Sequence, residues 1–174
     1  MPWTLRRKAA RVVLLDPSDR VLLIEATDPL WPEKGQWWEL PGGGMESGET
    51  SGEAALRELY EETGIEDVDM GPCLWRHHAE FDFGPYHFDQ HERVHIARCN
   101  GGEYRPAGLE ALEAEAFNGA RWWPLDELAA LVADGGKIIP PWLVEQLSGL
   151  LASQASGAPW PAEPLDMGEL GNIA

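Results

Sequence analysis

The carboxylates of one short segment are the residues whose type and spacing point most directly to chemistry. The stretch GGGMESGETSGEAALRELYEETGI, residues 42–65, holds six glutamates among mostly small residues. On a helix turning about 100° per residue, Glu58, Glu61 and Glu62 fall on one arc roughly 100° wide. Like charges so close together destabilise a helix by roughly a few tenths of a kcal/mol per pair. A bound cation would relieve this repulsion.

A hard divalent cation fits this arrangement. Magnesium typically takes one or two carboxylates plus the phosphates of a substrate. The glycine-rich segment PGGG lies just before the helix, where a backbone without side chains can approach a ligand closely. For three glutamates alone, a solvated acidic helix face is the simpler interpretation. The neighbouring residues must decide between the two.

The helix that carries the glutamates has clear start and stop signals. Thr50 and Glu53 have the spacing of a capping box, and Gly64 stands where a left-handed C-terminal cap belongs. Arg57 flanks the glutamates on the helix surface. The side expected to face the core carries Ala55, Leu56, Leu59 and Thr63.

Strand signals surround this helix. AARVVLLD and RVLLIEA predict two strands, WWEL a short one, and CLWRHHAEFDF with HFDQHERVHIARC a strand pair around the turn GPY. An acidic connection, the short strand RWWPL and two helices follow. The segment from Ser153 is rich in Gly, Pro and acids, so we expect a domain over residues 1–152 and a loosely ordered tail over residues 153–174.

The composition narrows the class of function. The 174 residues include 13 Lys+Arg and 30 Asp+Glu, a formal net charge of -17. Such a surface disfavours nucleic-acid polymers and anionic membranes as partners. Cys73 and Cys99 have no metal-type spacing, and no segment has the pattern of a signal peptide or a membrane span. We therefore expect a cytoplasmic protein with a small-molecule substrate.

The spacing around the glutamates matches a known motif. The segment from Gly43 to Ile65 resembles the Nudix box without a departure. Five residues separate Gly43 from Glu49, and seven more separate Glu49 from the run RELYEETGI. The chain thus resembles the Nudix hydrolase family, and its element order from Lys8 to Leu151 is also similar. The resemblance implies an α+β fold: an α/β/α sandwich with a central mixed β-sheet, and the box as a loop-helix-loop.

The resemblance also implies a reaction. Nudix hydrolases cleave a nucleoside diphosphate linked to another moiety, by water attack on phosphorus with Mg²⁺ or Mn²⁺. By position, Glu58 and Glu62 are the main metal ligands, and Glu61 is a further ligand or a water-orienting base. Arg57 orients these carboxylates, and Glu49 braces the loop.

The glycine loop and one residue outside the box complete the expected substrate contacts. We assign Gly42, Gly43 and Gly44 to substrate binding, with a backbone carbonyl of Gly42 or Gly43 at the metal site. Glu92 shares a strand face with apolar residues, so it is either a metal-site or substrate contact or a surface glutamate at the strand end.

Family members often carry one more acid beyond the box, as a metal ligand or as the base that activates water. The connection LEALEAEAFNGARWW offers Glu110, Glu113 and Glu115. Glu115 is favoured because its place before the Trp122–Trp123 pair is closest to where family members carry this acid, and Glu113 is next. A solvated loop glutamate remains the alternative for each.

The histidines give a weaker signal. His87, His91 and His95 would lie about 13 Å apart along a strand, too far for one zinc ion. We therefore expect the histidines to be surface or substrate-contact residues.

Aromatic and basic residues outside the box are also candidates for substrate contact. Trp31, Trp37 and Trp38 precede the glycine loop, where core packing is favoured over stacking on a nucleobase. Arg6 and Arg7 are expected in a solvated terminus rather than at substrate phosphates.

Two other functions fit the motif less well. A non-catalytic nucleotide sensor would often have lost box glutamates, and an isoprenoid diphosphate isomerase would rely on an active-site cysteine and a degenerate box. The sequence does not distinguish among nucleotide substrates, and a homodimer is compatible with it.

Overall fold

The computed structural model describes residues 3–171. Within them lie nine strands: β1 Trp3–Leu15, β2 Val21–Thr27, β3 Gln36–Glu39, β4 Gly42–Gly44, β5 Asp69–Phe83, β6 Tyr86–Arg98, β7 Phe117–Trp123, β8 Ile138–Ile139 and β9 Leu165–Leu170. The helices are α1 Ser51–Thr63, α2 Ala111–Ala116, α3 Leu125–Ala133 and α4 Leu143–Ala155, and a single 3-10 turn spans Pro32–Lys34.

All nine strands belong to one mixed sheet. Its order is β8-β3-β2-β1-β6-β5-β9, with β4 paired to β1 and β7 paired to β2. β1 and β6 run parallel over the full length of β1, whereas β5 and β6 form an antiparallel pair. Successive side chains of a strand point to opposite faces, so the long central strands supply a core on each side of the sheet.

Helices cover both faces of the sheet. α1 packs on one face, and α3 and α4 pack on the other, which gives the three-layer α/β/α arrangement and confirms the predicted α+β fold class. The two cores include, on the α1 side, Ala10, Val12, Leu14, Ala55 and Leu59, and, on the other side, Val13, Leu15, Leu128, Leu143 and Leu147.

The ends of α1 confirm the predicted caps. Thr50 Oγ1 accepts a hydrogen bond from the Glu53 N–H, and Glu53 Oε2 accepts one from the Thr50 N–H at 2.8 Å. Gly64 adopts the left-handed conformation with φ +73° and donates its N–H to the Tyr60 carbonyl. Both ends of the helix are therefore set by local sequence.

One expectation about the buried side of α1 is wrong. Ala55, Leu59 and Thr63 are buried as predicted, but Leu56 is 42% exposed. The buried stripe runs instead through Ala54 and the two glutamates at 58 and 62. The apolar pattern could not show this, because here acidic side chains turn inward.

The structure also extends the sheet beyond the predicted strands. β1 begins at Trp3 rather than Ala9, since its first residues continue the parallel ladder with β6. In the segment expected to be a loosely ordered tail, β9 pairs in parallel with β5. The edge of β5 offers unpaired backbone groups that β9 satisfies, a long-range contact that composition does not reveal. None of the helices within residues 3–171 is long and apolar enough to cross a membrane.

We predict that Gly64→Ala destabilises the protein more than Gly135→Ala does. Both glycines have positive φ, which costs an alanine about 1–2 kcal/mol. A Cβ at Gly64 would also lie 2.0 Å from the Arg105 carbonyl oxygen, whereas a Cβ at Gly135 meets nothing within 4 Å. Urea denaturation of the two variants measures the difference. Equal losses would contradict a close contact between the end of α1 and the backbone at Arg105.

Candidate active site

The glycine loop lies directly against the carboxylates of α1. β4 pairs antiparallel with β1, which places Gly43 opposite Ala10. A Cβ at Gly43 would lie 2.8 Å from the Glu58 carboxylate, and one at Gly42 would lie 2.1 Å from the Ala10 carbonyl oxygen. The contact at Gly42 is with backbone that has no room to move, so only glycine allows the loop to lie this close to β1.

Three carboxylates meet beneath this loop. One oxygen each from Glu58, Glu62 and Glu113 lies within 4.8 Å of the others. Glu58 is 8% exposed and Glu62 only 1%. The Gly42 N–H donates to Glu62 Oε2 at 2.8 Å. The atoms that could bind a metal here are all carboxylate oxygens, so this group fits a hard divalent cation such as Mg²⁺.

Burial and like charge act against ionisation of this group. Burial raises the pKa of Glu62 well above its ordinary 4.5, despite the nearby positive charge of Arg11. Burial also raises the pKa of Glu58 and of Glu113. A bound cation would favour the ionised forms, as the ligands of a metal must be deprotonated.

Arg57 connects the loop to the helix. Its Nε donates to Glu49 Oε1 at 2.7 Å and its Nη2 to Glu49 Oε2 at 3.0 Å. The same guanidinium donates to Glu58 Oε1 at 3.0 Å and to the Gly44 carbonyl at 2.9 Å. The two hydrogen bonds from Arg57 to the Glu49 carboxylate hold the pKa of Glu49 at about 2. Arg57 thus contacts the loop glutamate Glu49 and the helix glutamate Glu58 at the same time.

Glu61 lies apart from the other two helix glutamates. Its Oε2 accepts from Arg57 Nη1 at 3.2 Å, and its side chain is partly exposed. Among the described residues, the group of three carboxylates contains Glu113 in place of Glu61. Glu58 and Glu62 are four positions apart and share one stripe of the helix, whereas Glu61 is rotated about 100° from Glu62.

The connection before β7 brings Glu113 rather than the favoured Glu115 to the site. Glu113 lies in the first turn of α2, where one of its oxygens accepts the Glu110 N–H at 2.9 Å. Glu115 is exposed and lies outside the carboxylate group. Positions 113 and 115 are separated by a rotation of about 200° around the helix axis. The side chains of Glu113 and Glu115 therefore point in nearly opposite directions.

Glu92 is buried beside the carboxylate group without joining it. It forms a hydrogen bond with His77 Nε2 at 2.9 Å, and its Oε2 lies 3.4 Å from Arg11 Nε. Burial alone would raise its pKa, but Arg11 and His77 hold the pKa of Glu92 at about 2. An ionised Glu92 therefore anchors Arg11.

Arg11 is a site residue that the sequence analysis did not single out. Its Nη1 donates to the carbonyls of Leu40 at 3.1 Å and Gly42 at 3.0 Å. Burial alone would lower its pKa, but the carboxylates of Glu92 and Glu39 raise the pKa of Arg11. The sequence feature that could have indicated its role is a positively charged residue inside the apolar run AARVVLL.

A cleft with aromatic walls opens beside the carboxylates. Arg7 reaches into it, stacking at 4.7 Å from the Phe88 ring centroid and donating to Gln90 Oε1 at 2.9 Å. The expectation of a solvated terminus is therefore wrong for Arg7, while Arg6 is exposed. Of the three tryptophans, only Trp37 lines this cleft. The aromatic walls consist of Trp37, Phe81, Phe83, Phe88 and Phe117.

Comparison with known proteins identifies the family. The family model described as the NUDIX domain matches residues 5–143. The chain belongs to the Nudix family. It is 33% identical over 129 residues to an RNA pyrophosphohydrolase of Caulobacter vibrioides strain NA1000, covering 70% of this chain and 73% of that protein.

Two further relatives extend the comparison. A putative 8-oxo-dGTP diphosphatase of Bacillus subtilis strain 168 is 43% identical over 58 residues, which cover 33% of this chain and 34% of that protein. The structure of a MutT protein from Methanosarcina mazei Go1 matches with a TM-score of 0.56 at 15% identity, covering 87% of this chain and 96% of that one. At this identity the structural match supports the Nudix fold alone.

Family membership gives the broad activity. The chain is a Nudix-type pyrophosphohydrolase, a hydrolase that acts on phosphoric anhydrides. Nudix enzymes generally use divalent metals and act on small nucleotide-linked substrates.

We predict that Glu62→Gln stabilises the metal-free protein. The raised pKa of Glu62 means that folding opposes ionisation, and each pKa unit corresponds to about 1.4 kcal/mol. The contribution of Glu62 to wild-type stability should fall as pH rises above 4.5, so the gain in the variant should be larger at pH 8 than at pH 5. Denaturation of the wild type and the variant in chelator at both pH values measures this gain in the free energy of unfolding. Glu66→Gln, at an exposed position nearby, is the control and should change little. A loss of stability in Glu62→Gln would contradict the expected cost of the buried charge.

Proposed function

We propose that this Nudix protein uses Mg²⁺ or Mn²⁺ to hydrolyse the diphosphate linkage of a nucleoside diphosphate linked to another moiety. The observation that carries the proposal is the group of Glu58, Glu62 and Glu113, with oxygens within 4.8 Å, at one side of an aromatic cleft. Such a group is costly unless a cation neutralises it, and a diphosphate needs cations to approach a protein of net charge -17.

In this proposal Glu58, Glu62 and Glu113 hold the divalent cation. Bound there, the cation would offset the charge of the diphosphate and lower the pKa of a water molecule. Arg57 and Glu49 keep the loop and Glu58 in register through charge-assisted hydrogen bonds. Glu61, which also contacts Arg57, supports this network from its exposed side.

The cleft supplies the remaining substrate contacts. Arg7 and Arg11 line it beside the carboxylates, and both can offer positive charge to phosphate oxygens. The aromatic side chains of the same cleft suit a nucleobase, and base–aromatic stacking contributes about 1–3 kcal/mol per base. Glu92 acts through Arg11 in this scheme, as a positioning residue.

The structure also bears on the alternatives. All box glutamates are present, and Glu58 and Glu62 lie together with Glu113, which favours an enzyme over a nucleotide sensor. An isomerase would need a cysteine at the reacting atoms. Neither Cys73 nor Cys99 is among the described residues that line the cleft.

A second candidate substrate is the 5′ end of RNA. It is favoured by the relative named RNA pyrophosphohydrolase, which is 33% identical over 70% of this chain. The net charge of -17 weakens binding along a polymer, so contacts would be confined to the terminal nucleotide.

We expect hydrolysis to require a divalent cation. A panel of ADP-ribose, dinucleoside polyphosphates, coenzyme A, 8-oxo-dGTP and 5′-triphosphorylated RNA would be assayed for phosphate or pyrophosphate release. Chelator should abolish turnover of any substrate, and added Mg²⁺ or Mn²⁺ should restore it. Full activity in excess chelator would contradict the proposal.

Glu113→Gln and Glu115→Gln form a matched pair that tests the third carboxylate. Glutamine at 113 keeps an oxygen for the Glu110 N–H but weakens the cation site, so kcat should fall at least about 10²-fold. The Mg²⁺ concentration needed for half-maximal activity should also rise. Glu115→Gln should retain wild-type turnover. The assignment fails if Glu115→Gln loses activity and Glu113→Gln does not.

A further inference from the structure

A second group of possible metal ligands lies on the opposite face of the β5–β6 hairpin from the aromatic cleft. His78 is paired across the strands with His91, and Glu80 with Asp89. Residues 78 and 80 alternate with Phe81 and so point away from the cleft. The four side chains therefore form a square on the outer face of the hairpin. The two hydrogen-bonded strands give this square a rigid support.

The distances within this square suit a small cation. His78 Nε2 lies 2.8 Å from Asp89 Oδ1 and 3.9 Å from Glu80 Oε1. One atom from each of the three residues lies within 4.8 Å of the others. Ligands of a tetrahedral zinc ion, with bonds near 2.0–2.1 Å, are about 3.3 Å apart, a value that the two measured distances bracket. We propose that His78, Glu80 and Asp89 form a zinc site that is separate from the catalytic carboxylates.

The surroundings of His78 favour ligation through Nε2. Its Nδ1 lies 3.5 Å from Glu169 Oε1 on β9, so a proton on Nδ1 can be shared with that carboxylate. A histidine that binds a metal through one nitrogen commonly donates its other N–H to a carboxylate. The His91 ring stacks on His78 with centroids 4.6 Å apart and restricts rotation of the imidazole. Zinc would replace the proton between His78 Nε2 and Asp89.

Room for further ligands is present beside the group. His78, Glu80 and Glu169 line a groove of about 170 Å³, enough for water molecules to complete the coordination. The mixed nitrogen and oxygen donors select zinc over Mg²⁺, which prefers oxygen alone. The two sites would thus bind different ions through donor chemistry.

The zinc site also has a structural consequence. Glu169 belongs to β9, and its cross-strand partner is His78. An ion on His78 would strengthen the contact between β9 and the edge of the sheet. The spacing of His87, His91 and His95 along one strand excludes a shared ion for those three, but the zinc site uses residues from two paired strands.

Equilibrium dialysis of the full chain against Zn²⁺, in excess Mg²⁺ to occupy the catalytic carboxylates, tests the proposal. Wild-type protein should retain about one zinc ion per chain. His78→Ala and Asp89→Asn should each weaken zinc binding by more than about 100-fold, and Glu169→Gln by about 10-fold. Circular dichroism of each variant verifies folding, and two separate ligand variants keep the test valid if one misfolds.

The matched control is His87→Ala. His87 also lines the groove beside the proposed site and pairs with an aspartate on this hairpin, with Nδ1 2.7 Å from Asp82 Oδ1, but it is not in the three-ligand group. This variant should bind zinc like the wild type. Zinc should also raise the unfolding temperature of the wild type and not that of His78→Ala. Zinc binding that is unchanged in His78→Ala and Asp89→Asn, or absent from the wild type, would overturn the proposal.

Discussion

The repulsion among Glu58, Glu62 and Glu113 is the constraint on which the other contacts of the site depend. Their oxygens lie within 4.8 Å in a place where burial already disfavours charge. Two arginines oppose this repulsion from different sides. Arg57 binds Glu58 directly, and buried Arg11 lies close enough to lower the cost of ionising Glu62. Without these cations the metal-free fold would carry uncompensated buried carboxylates.

Each arginine in turn needs the sheet and the loop to hold it. Arg11 lies on β1, where Glu92 of the parallel neighbour β6 balances its charge. From there Arg11 donates to the carbonyls of Leu40 and Gly42, and the Gly42 N–H donates to Glu62. A chain of polar contacts thus runs from the sheet interior to the carboxylates. Such a network holds its members in one geometry only when every partner is present.

The β5–β6 hairpin uses its two faces differently. Phe81 and Phe88 stack at 5.1 Å on the face toward the cleft, while Glu80 and Asp89 occupy the other face. Alternation along each strand makes this division possible without any additional element. The same two strands therefore line the aromatic cleft on one face and carry the proposed zinc ligands on the other, so the two groups of side chains do not contact each other.

The sequence alone determined the parts of this protein that depend on local spacing. The caps of α1 and the turn between β5 and β6 involve residues close together in the chain. Their geometry follows from helix rotation and hydrogen bonding over a few residues. The α+β class was implied by the resemblance to the Nudix family, which the motif carries.

Only the tertiary structure decided which distant residues join the site. Glu113 rather than Glu115 faces the carboxylates because the direction of α2 is set by packing, and a shift of two residues nearly reverses a helical side chain. Arg11 and Arg7 enter the cleft because β1 pairs with β6, more than seventy residues away in the chain. β9 joins the sheet for the same kind of reason. Local propensity carries no information about which strand edge or cleft wall a segment will meet, and that choice fixed the third carboxylate and the cations that face it.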